Sequence, residues 1–164
     1  MNTDIETARC GLVWPTAEDR DEFAKLYQCE SGRRYLGGPR VGAAFDGIFA
    51  RMLASRSPTS WTVRLKGDRS FIGWLALHPH HDGQDTEVSY QFLPEFWGRG
   101  LARETVGAVV DHARNTLALP RVVAEIQTAN LRSRRLLESL GFEPLRTVRR
   151  FDEDQTIYGS PPAG

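Results

Sequence analysis

The segment that decides the fold occupies residues 92–104 and reads FLPEFWGRGLARE. It follows a stretch, Thr86–Phe92, in which apolar and polar side chains alternate as they do on a half-buried strand. A proline ends that strand, Gly98 and Gly100 follow, and apolar residues then recur at helical spacing. The order predicts a strand, a glycine turn and a long helix over residues 99–117.

The glycine turn has a chemical consequence, because the first N–H groups of a helix have no acceptor inside the helix. Without side chains at Gly98 and Gly100, these N–H groups can converge on an anion such as a phosphate or diphosphate. A tight turn without a ligand explains the two glycines equally well. The dinucleotide fingerprint G-x-G-x-x-G is excluded, because its third glycine is Arg103 here.

A second segment, residues 128–142, reads TANLRSRRLLESLGF. It predicts a helix over Asn130–Leu140 that follows a short apolar strand, Val122–Ile126, and ends at Gly141. Asn130 suits the helix N-cap, and Ser133 lies one turn into the helix. A cap and a solvent-facing serine would account for both residues without any further role.

The whole chain, residues 1–164, predicts a single mixed α/β domain with a flexible tail over residues 158–164. We find no internal repeat, long linker or low-complexity tract in the sequence. The remaining segments predict helices after Thr16 and over Val41–Leu53, and strands over Cys10–Trp14, Trp61–Leu65, Phe71–Leu77, Phe142–Val148 and Gln155–Tyr158.

Charge, hydropathy and cysteine content exclude several classes of protein. The 21 basic and 21 acidic residues balance, which does not support binding to nucleic acid or a membrane surface. No segment reaches the roughly 18 apolar residues of a membrane span, and the polar start is no secretory signal. Cys10 and Cys29 are too few for a disulfide framework, so we expect reduced thiols in a cytoplasmic protein.

Three histidines, His78, His80 and His81, follow the predicted strand Phe71–Leu77. Their spacing lacks the fixed i, i+4 presentation of good metal ligands. We therefore predict a solvated loop and no metal site.

Taken together, the two motif segments resemble the GNAT superfamily of acetyl-CoA-dependent N-acetyltransferases. The shared order is strand, P-x-x-W-G-R-G-L-A, long helix, strand, N-x-x-S, helix and L-G-F, over residues 71–142. Tyr90, Trp97 and Ser133 look most like the RimJ/RimL-like branch, whose members acetylate the amino termini of ribosomal proteins. The resemblance implies an α/β (α+β) fold: a mixed, mostly antiparallel sheet of six to seven strands, splayed at the centre and flanked by about four helices.

The resemblance also implies acetyl-CoA as the cosubstrate and no metal. The family signature Q/R-x-x-G-x-G/A falls on Glu95, Gly98 and Gly100, with Glu95 in place of the usual Gln or Arg. The end of the strand would pair its backbone with the pantetheine arm, and the glycine turn would hold the diphosphate. The cofactor-binding residues implied in this way are Phe92, Leu93, Trp97, Gly98, Arg99, Gly100, Leu101, Ala102, Arg103, Asn130, Ser133 and Arg135.

The distribution of arginine agrees with a polyanionic cofactor. Of the 21 basic residues, 19 are Arg, a bias that genomic base composition alone explains. Between Glu95 and Arg135, however, seven arginines stand against four acidic residues. Arginines clustered around the two motif segments are what several phosphate groups would require.

The family's common general acid is a Tyr seven residues after the Asn, but that position is Leu137 here. The resemblance to the RimJ/RimL-like branch implies Ser133 as the candidate substitute, with a role as a hydrogen-bond donor or water relay. The attacking amine must lose a proton, so the candidate bases are an ordered water, Glu87, Glu125 and the final acidic turn, residues 152–154. Glu87 and Glu125 also suit ordinary strand positions. We expect direct transfer in a ternary complex, because no cysteine accompanies the motif.

The function implied by the resemblance is transfer of the acetyl group of acetyl-CoA to a primary amine, with a peptide amino terminus as the first acceptor considered. A small amine, such as an aminoglycoside or a polyamine, is the alternative acceptor. A non-catalytic acyl-CoA-binding module is the alternative from another class. Tyr35, between the first two predicted helices, could line the acceptor pocket. Both a monomer and a homodimer fit the sequence.

Overall fold

The computed structural model describes residues 4–55 and 59–162, which form one eight-stranded sheet with helices on both faces. The strands are β1 (Ile5–Glu6), β2 (Cys10–Val13), β3 (Thr59–Leu65), β4 (Phe71–Pro79), β5 (Thr86–Phe92), β6 (Val122–Gln127), β7 (Glu143–Arg150) and β8 (Glu153–Gly159). The α-helices are α1 (Arg20–Gln28), α2 (Gly42–Ala54), α3 (Leu101–Asn115) and α4 (Leu131–Ser139). Short 3₁₀ helices, Ala17–Asp19 and Pro94–Phe96, precede α1 and α3.

The strand order in the sheet is β1-β2-β3-β4-β5-β6-β8-β7. All neighbouring strands are antiparallel except β5 and β6, which are parallel. The predicted mixed and mostly antiparallel sheet is therefore confirmed, with eight strands in the described residues rather than six or seven. The sequence does not predict β1, because two residues are too few to show a strand period.

The parallel pair β5 and β6 separates soon after it forms. Two residue pairs join the strands, Thr86 with Val122 and Glu87 with Val123. Beyond them β5 stays paired with β4 up to Phe92, while β6 stays paired with β8. A wedge therefore opens between β5 and β6, and the predicted splay at the sheet centre is confirmed.

Two hydrophobic clusters cover the two faces of the sheet. Adjacent residues of β4 divide between them: Leu75 packs with residues of α3 and α4, and Trp74 packs with residues of α1 and α2. This division follows from the alternation of side chains along a strand. Within residues 4–55 and 59–162, no helix is long and apolar enough to cross a membrane.

The helices beside the wedge begin later than the sequence predicts. Gly100 has φ of 76°, a left-handed conformation that cannot be part of the helix, so α3 begins at Leu101. Asn130 has non-helical φ and ψ angles, and its side chain accepts a hydrogen bond from the Ser133 N–H, so α4 begins at Leu131. Both helix N-termini consequently lie at segments that carry the sequence motifs.

Residues 158–160 are held by the sheet, which corrects the predicted flexible tail, residues 158–164, at its first three residues. Tyr158 and Gly159 belong to β8. The Val122 N–H donates to the Ser160 hydroxyl (3.0 Å), and the Ser160 N–H donates to the Val122 carbonyl (2.8 Å). The last two residues of the chain lie outside the described residues.

The close approach of β4 and β5 beside the wedge gives a test of the packing. A Cβ at Gly73 would lie 2.4 Å from the Gln91 carbonyl oxygen and 2.7 Å from Cδ1 of Phe92. We expect Gly73→Ala to lower the free energy of unfolding by about 1–3 kcal/mol in urea denaturation, because β5 must move. Gly67→Ala is the control, since a Cβ at that turn meets nothing within 4 Å. Equal stability of the two variants would contradict the packing described.

Candidate active site

The wedge exposes one edge of β5. The Leu93 N–H donates to the Ile72 carbonyl on β4 (2.9 Å). Because backbone groups alternate in direction along an antiparallel ladder, those of Val88, Tyr90 and Phe92 then point toward the wedge. No strand pairs with this edge in the described part of the chain. An extended ligand can therefore add to β5 as a further strand would.

At the end of this edge, the glycine turn and α3 form a cradle of N–H groups. Gly98 has φ of 73° and Gly100 has φ of 76°. The first hydrogen bond of α3 runs from the Glu104 N–H to the Gly100 carbonyl (3.1 Å). The N–H groups of residues 101–103 precede it and have no acceptor within the helix. A Cβ at Gly98 would meet no atom within 4 Å, so the space in front of the turn is open.

The cradle opens into a cavity of about 700 Å³, here called the first cavity. Its walls are the cradle, β5, the start of α4 and the segment after α1. Four arginines line it, and none of its described lining residues is acidic: Arg34, Arg103, Arg132 and Arg135. Open N–H groups and unopposed guanidinium groups fit a ligand that carries several phosphates, as CoA does.

Trp97 joins the cradle to α4. Its indole N–H donates to the Phe92 carbonyl (3.0 Å), and the Arg132 guanidinium carbon lies 3.8 Å from the centroid of its ring. Asn130 caps α4 through a hydrogen bond from the Ser133 N–H to its side-chain oxygen (3.2 Å). The two motif segments are thus in contact, although about thirty residues separate them in the sequence.

The structure brings most of the predicted cofactor-binding residues to the first cavity. Its lining includes Phe92, Trp97, Gly98, Gly100, Leu101, Ala102, Arg103, Asn130, Ser133 and Arg135. Leu93 lies elsewhere and packs with the cluster of α1 and α2. The Arg99 guanidinium lies 5.5 Å from the Phe96 ring centroid, and the Arg99 carbonyl accepts a hydrogen bond from Arg9 (2.8 Å).

A second cavity, of about 470 Å³, lies next to the first. Glu87 and Glu125, the two predicted candidate bases, both line it. The two cavities share six lining residues, so they meet inside the wedge: Tyr35, Leu36, Tyr90, Gln91, Asn130 and Ser133. Ser133, the third predicted catalytic residue, therefore faces both cavities. The acidic turn 152–154 contributes no residue to either lining.

The electrostatic surroundings of Glu87 suit a proton acceptor. The residue is 7% exposed, and burial raises the pKa of Glu87 from its ordinary value of 4.5 to about 7. The positive charges of His80 and Arg150 oppose this rise in pKa only in part. Glu87 therefore changes its charge near neutral pH, where a general base works best.

Glu125 differs from Glu87 because both of its carboxylate oxygens have cationic partners. His80 Nε2 lies 2.5 Å from one oxygen, and Arg150 Nε donates to the other (2.7 Å). His80 Nδ1 also lies 3.0 Å from Asp82. Burial lowers the pKa of His80, but the hydrogen bonds to Glu125 and Asp82 outweigh burial and raise it overall. Glu125 thus belongs to a paired charge network beside Glu87.

His80 is an exception to the predicted solvated loop, whose residues 81–84 are exposed. Its side chain is 0% exposed and contacts Glu125, which lines the second cavity. The sequence carries no signal for this contact, because 45 residues separate the two groups. His81 does line the second cavity, and its ring lies 5.9 Å from that of Phe151. Among the described residues, no group of three or more His, Cys, Asp or Glu side chains is arranged to hold a metal ion.

Comparisons with known proteins agree with this geometry. Residues 9–143 match the family model described as Acetyltransferase (GNAT) domain. The chain is 26% identical over 153 residues to a Bacillus subtilis protein named uncharacterized N-acetyltransferase YoaA, covering 90% of this chain and 86% of that protein. It is 29% identical over 174 residues to the FsC-acetyl coenzyme A-N(2)-transacetylase of Aspergillus fumigatus, covering 98% and 71% respectively.

The fold agrees with the same assignment. The crystal structure of an acetyltransferase (GNAT family) from Bacillus anthracis matches with a TM-score of 0.85 and 17% identity, over 96% of this chain and 97% of that one. The chain therefore belongs to the GNAT acetyltransferase family, whose members use acetyl-CoA.

Proposed function

We propose that this protein transfers the acetyl group of acetyl-CoA to a primary amine by direct attack in a ternary complex. The observation that carries the proposal is the buried Glu87, which lines the second cavity and has a pKa raised to about 7. A module that only binds acyl-CoA does not require a base of this kind. Neither Cys10 nor Cys29 lines a cavity, so the described residues offer no thiol for a covalent acyl-enzyme.

The first cavity is the proposed site of acetyl-CoA. The exposed edge of β5 would pair with the pantetheine arm, and the N–H groups of residues 98–103 would hold the diphosphate. Arg103, Arg132 and Arg135 would contribute positive charge to the phosphates. The thioester would then lie beside Ser133, where the two cavities meet.

The second cavity is the proposed site of the amine. An amine attacks a thioester only when it is neutral, and Glu87 would take the proton that it must lose. The pKa of an α-amino group is about 8, within roughly one unit of that of Glu87, whereas the pKa of a lysine-type amine is about 10.4. Proton transfer to Glu87 therefore costs less free energy from an α-amino group than from a lysine-type amine.

We accordingly propose a peptide amino terminus as the acceptor, as in the RimJ/RimL-like branch. Trp74 lines this cavity, and its buried indole N–H has no hydrogen-bond partner among the described residues, so a peptide carbonyl that reached it would complete a hydrogen bond. A small amine remains the second candidate, because a cavity of about 470 Å³ is the size of a small-molecule site.

The cradle assignment predicts the effect of a substitution on CoA binding. Gly98→Val would fill the open space in front of the turn, and we expect a loss of at least about 100-fold in CoA affinity by calorimetry. Gly83→Val is the matched control, because Gly83 also has a positive φ (74°) and open space but lines neither cavity. Equal CoA affinity in the two variants would refute the cradle assignment.

The assignment of Glu87 predicts the pH dependence of turnover. Thiol release from acetyl-CoA, measured with a panel of peptides and small amines, should rise with pH through about 7 as Glu87 loses its proton. Glu87→Gln should lower kcat by about 10²–10⁴-fold. Glu95→Gln, at an exposed position of the glycine motif, should leave kcat within about threefold of the wild type. If no acceptor in the panel is turned over at saturating acetyl-CoA, the proposal is refuted for those acceptors.

Thermal unfolding separates loss of the base from loss of the fold. Because burial raises the pKa of Glu87, ionisation costs stability as pH rises from about 4.5 to about 7. Glu87→Gln removes this cost, so the variant should be more stable than the wild type at pH 8, by on the order of 1–3 kcal/mol. At pH 4 the two proteins should be equally stable. A variant that is both inactive and less stable at pH 8 would argue against a buried, ionisable base.

A further inference from the structure

The hydroxyl of Tyr90 is buried, and no group in the described residues forms a hydrogen bond with it. Burial raises the pKa of Tyr90, and the nearby Ser133 side chain lowers it, although no hydrogen bond between the two meets the geometric limits. A buried hydroxyl without a partner costs about 1–3 kcal/mol, so such groups are rare unless a ligand or water completes them. The Tyr90 hydroxyl can therefore donate a hydrogen bond but has no acceptor among the described residues.

The position of Tyr90 indicates what that acceptor is. Tyr90 lines both cavities, as does Ser133. It lies on the part of β5 that β6 has left, three residues after Glu87. An amine in the second cavity can reach an acetyl group held in the first cavity only at this junction. The atoms that react must therefore meet at the junction that Tyr90 lines.

The helix position at which the family usually carries its tyrosine holds a buried leucine in this protein. Leu137, where the resemblance predicts the family's usual tyrosine, is 0% exposed and belongs to the cluster of α3 and α4. The Tyr90 ring packs against the same cluster. Tyr90 thus brings a phenol from β5 to the side of the wedge where α4 carries an aliphatic residue.

We propose that Tyr90 is a catalytic residue that donates a hydrogen bond to the sulfur of acetyl-CoA as the thiol leaves. This inference rests on the proposed function. The amine nitrogen forms a bond to the carbonyl carbon, the C–S bond breaks, and sulfur keeps the electron pair. Glu87 takes the proton from nitrogen, and the sulfur leaves as a thiolate that accepts the Tyr90 hydrogen bond. The thiolate then gains one proton from solvent water, and Glu87 releases its proton to solvent, so no further reactant is needed.

The ionisation of Tyr90 agrees with a role as a donor. Burial raises the pKa of Tyr90 to about 12, so the hydroxyl keeps its proton throughout the physiological range. A thiol has a pKa of about 8.5 and is a stronger acid than this phenol. Tyr90 therefore stabilises the charge on sulfur through a hydrogen bond rather than by giving its proton away.

The test measures the bound CoA thiol and needs no acceptor. The thiolate absorbs in the ultraviolet, so a titration of the complex with CoA gives the pKa of the bound thiol. We expect this pKa to be about one unit or more lower in the wild type than in Tyr90→Phe, because the variant lacks the donor. Below the thiol pKa, the affinity of the variant for CoA should stay within about threefold of the wild type.

The matched control is Tyr35→Phe, which removes a hydroxyl from the other tyrosine that lines both cavities. It should leave the pKa of the bound thiol unchanged. Neither variant alters a charged group that lines the cavities: Arg33, Arg34, Arg40, Glu87, Arg103, Glu125, Arg132 and Arg135. Tyr90→Phe should also unfold at the same temperature as the wild type or a higher one, because it removes an unpartnered polar atom.

The outcomes separate the two proposals. If CoA binds and the thiol pKa is the same in the wild type and Tyr90→Phe, the role of Tyr90 is refuted and the proposed function stands. A shift in Ser133→Ala but none in Tyr90→Phe refutes it as well, and assigns the donor to Ser133. No binding of CoA to the wild type overturns both. With an acceptor in hand, Tyr90→Phe should lower kcat by about 10²-fold and leave the KM for acetyl-CoA unchanged.

Discussion

The constraint on which the rest of the structure depends is the short pairing of β5 with β6. Only two residue pairs join these strands, yet each stays fully paired with its other neighbour. The sheet therefore keeps its stability while it exposes a strand edge at its centre, between layers of helices. Elsewhere an exposed edge invites aggregation, but here it lies inside a cleft of two cavities that suits an extended ligand.

The two sides of the wedge differ in charge, which follows from the segments that build them. The glycine turn and the start of α3 supply free N–H groups to the first cavity, and α3 and α4 supply arginines. The second cavity contains the carboxyl groups of Glu87 and Glu125 beside Arg33 and Arg40. The phosphates of the ligand would therefore lie on the first side, the amine would lie beside the carboxyl groups of the second, and the two reactants would meet at the junction that Tyr90 lines.

The elements with strong local signals could be predicted from sequence. The alternation of apolar and polar side chains over Thr86–Phe92 predicts β5 with its observed bounds. The two glycines predict the start of α3, and with it the cradle, to within two residues of its observed position. Contacts between distant residues left no such signal. The sequence predicts a solvated loop at His80, because its partner, Glu125, lies on a strand 45 residues away. The sequence does not indicate the role of Tyr90 for the same reason, since only the fold brings this residue into the walls of both cavities.

A crystal structure of the protein with bound CoA would show whether the wedge takes the pantetheine arm. We expect the amides of the arm to bond to the backbone of Val88 and Tyr90, and the sulfur to lie within about 3.5 Å of the Tyr90 hydroxyl. An arm that runs outside the wedge, or a sulfur far from the junction of the two cavities, would contradict this expectation.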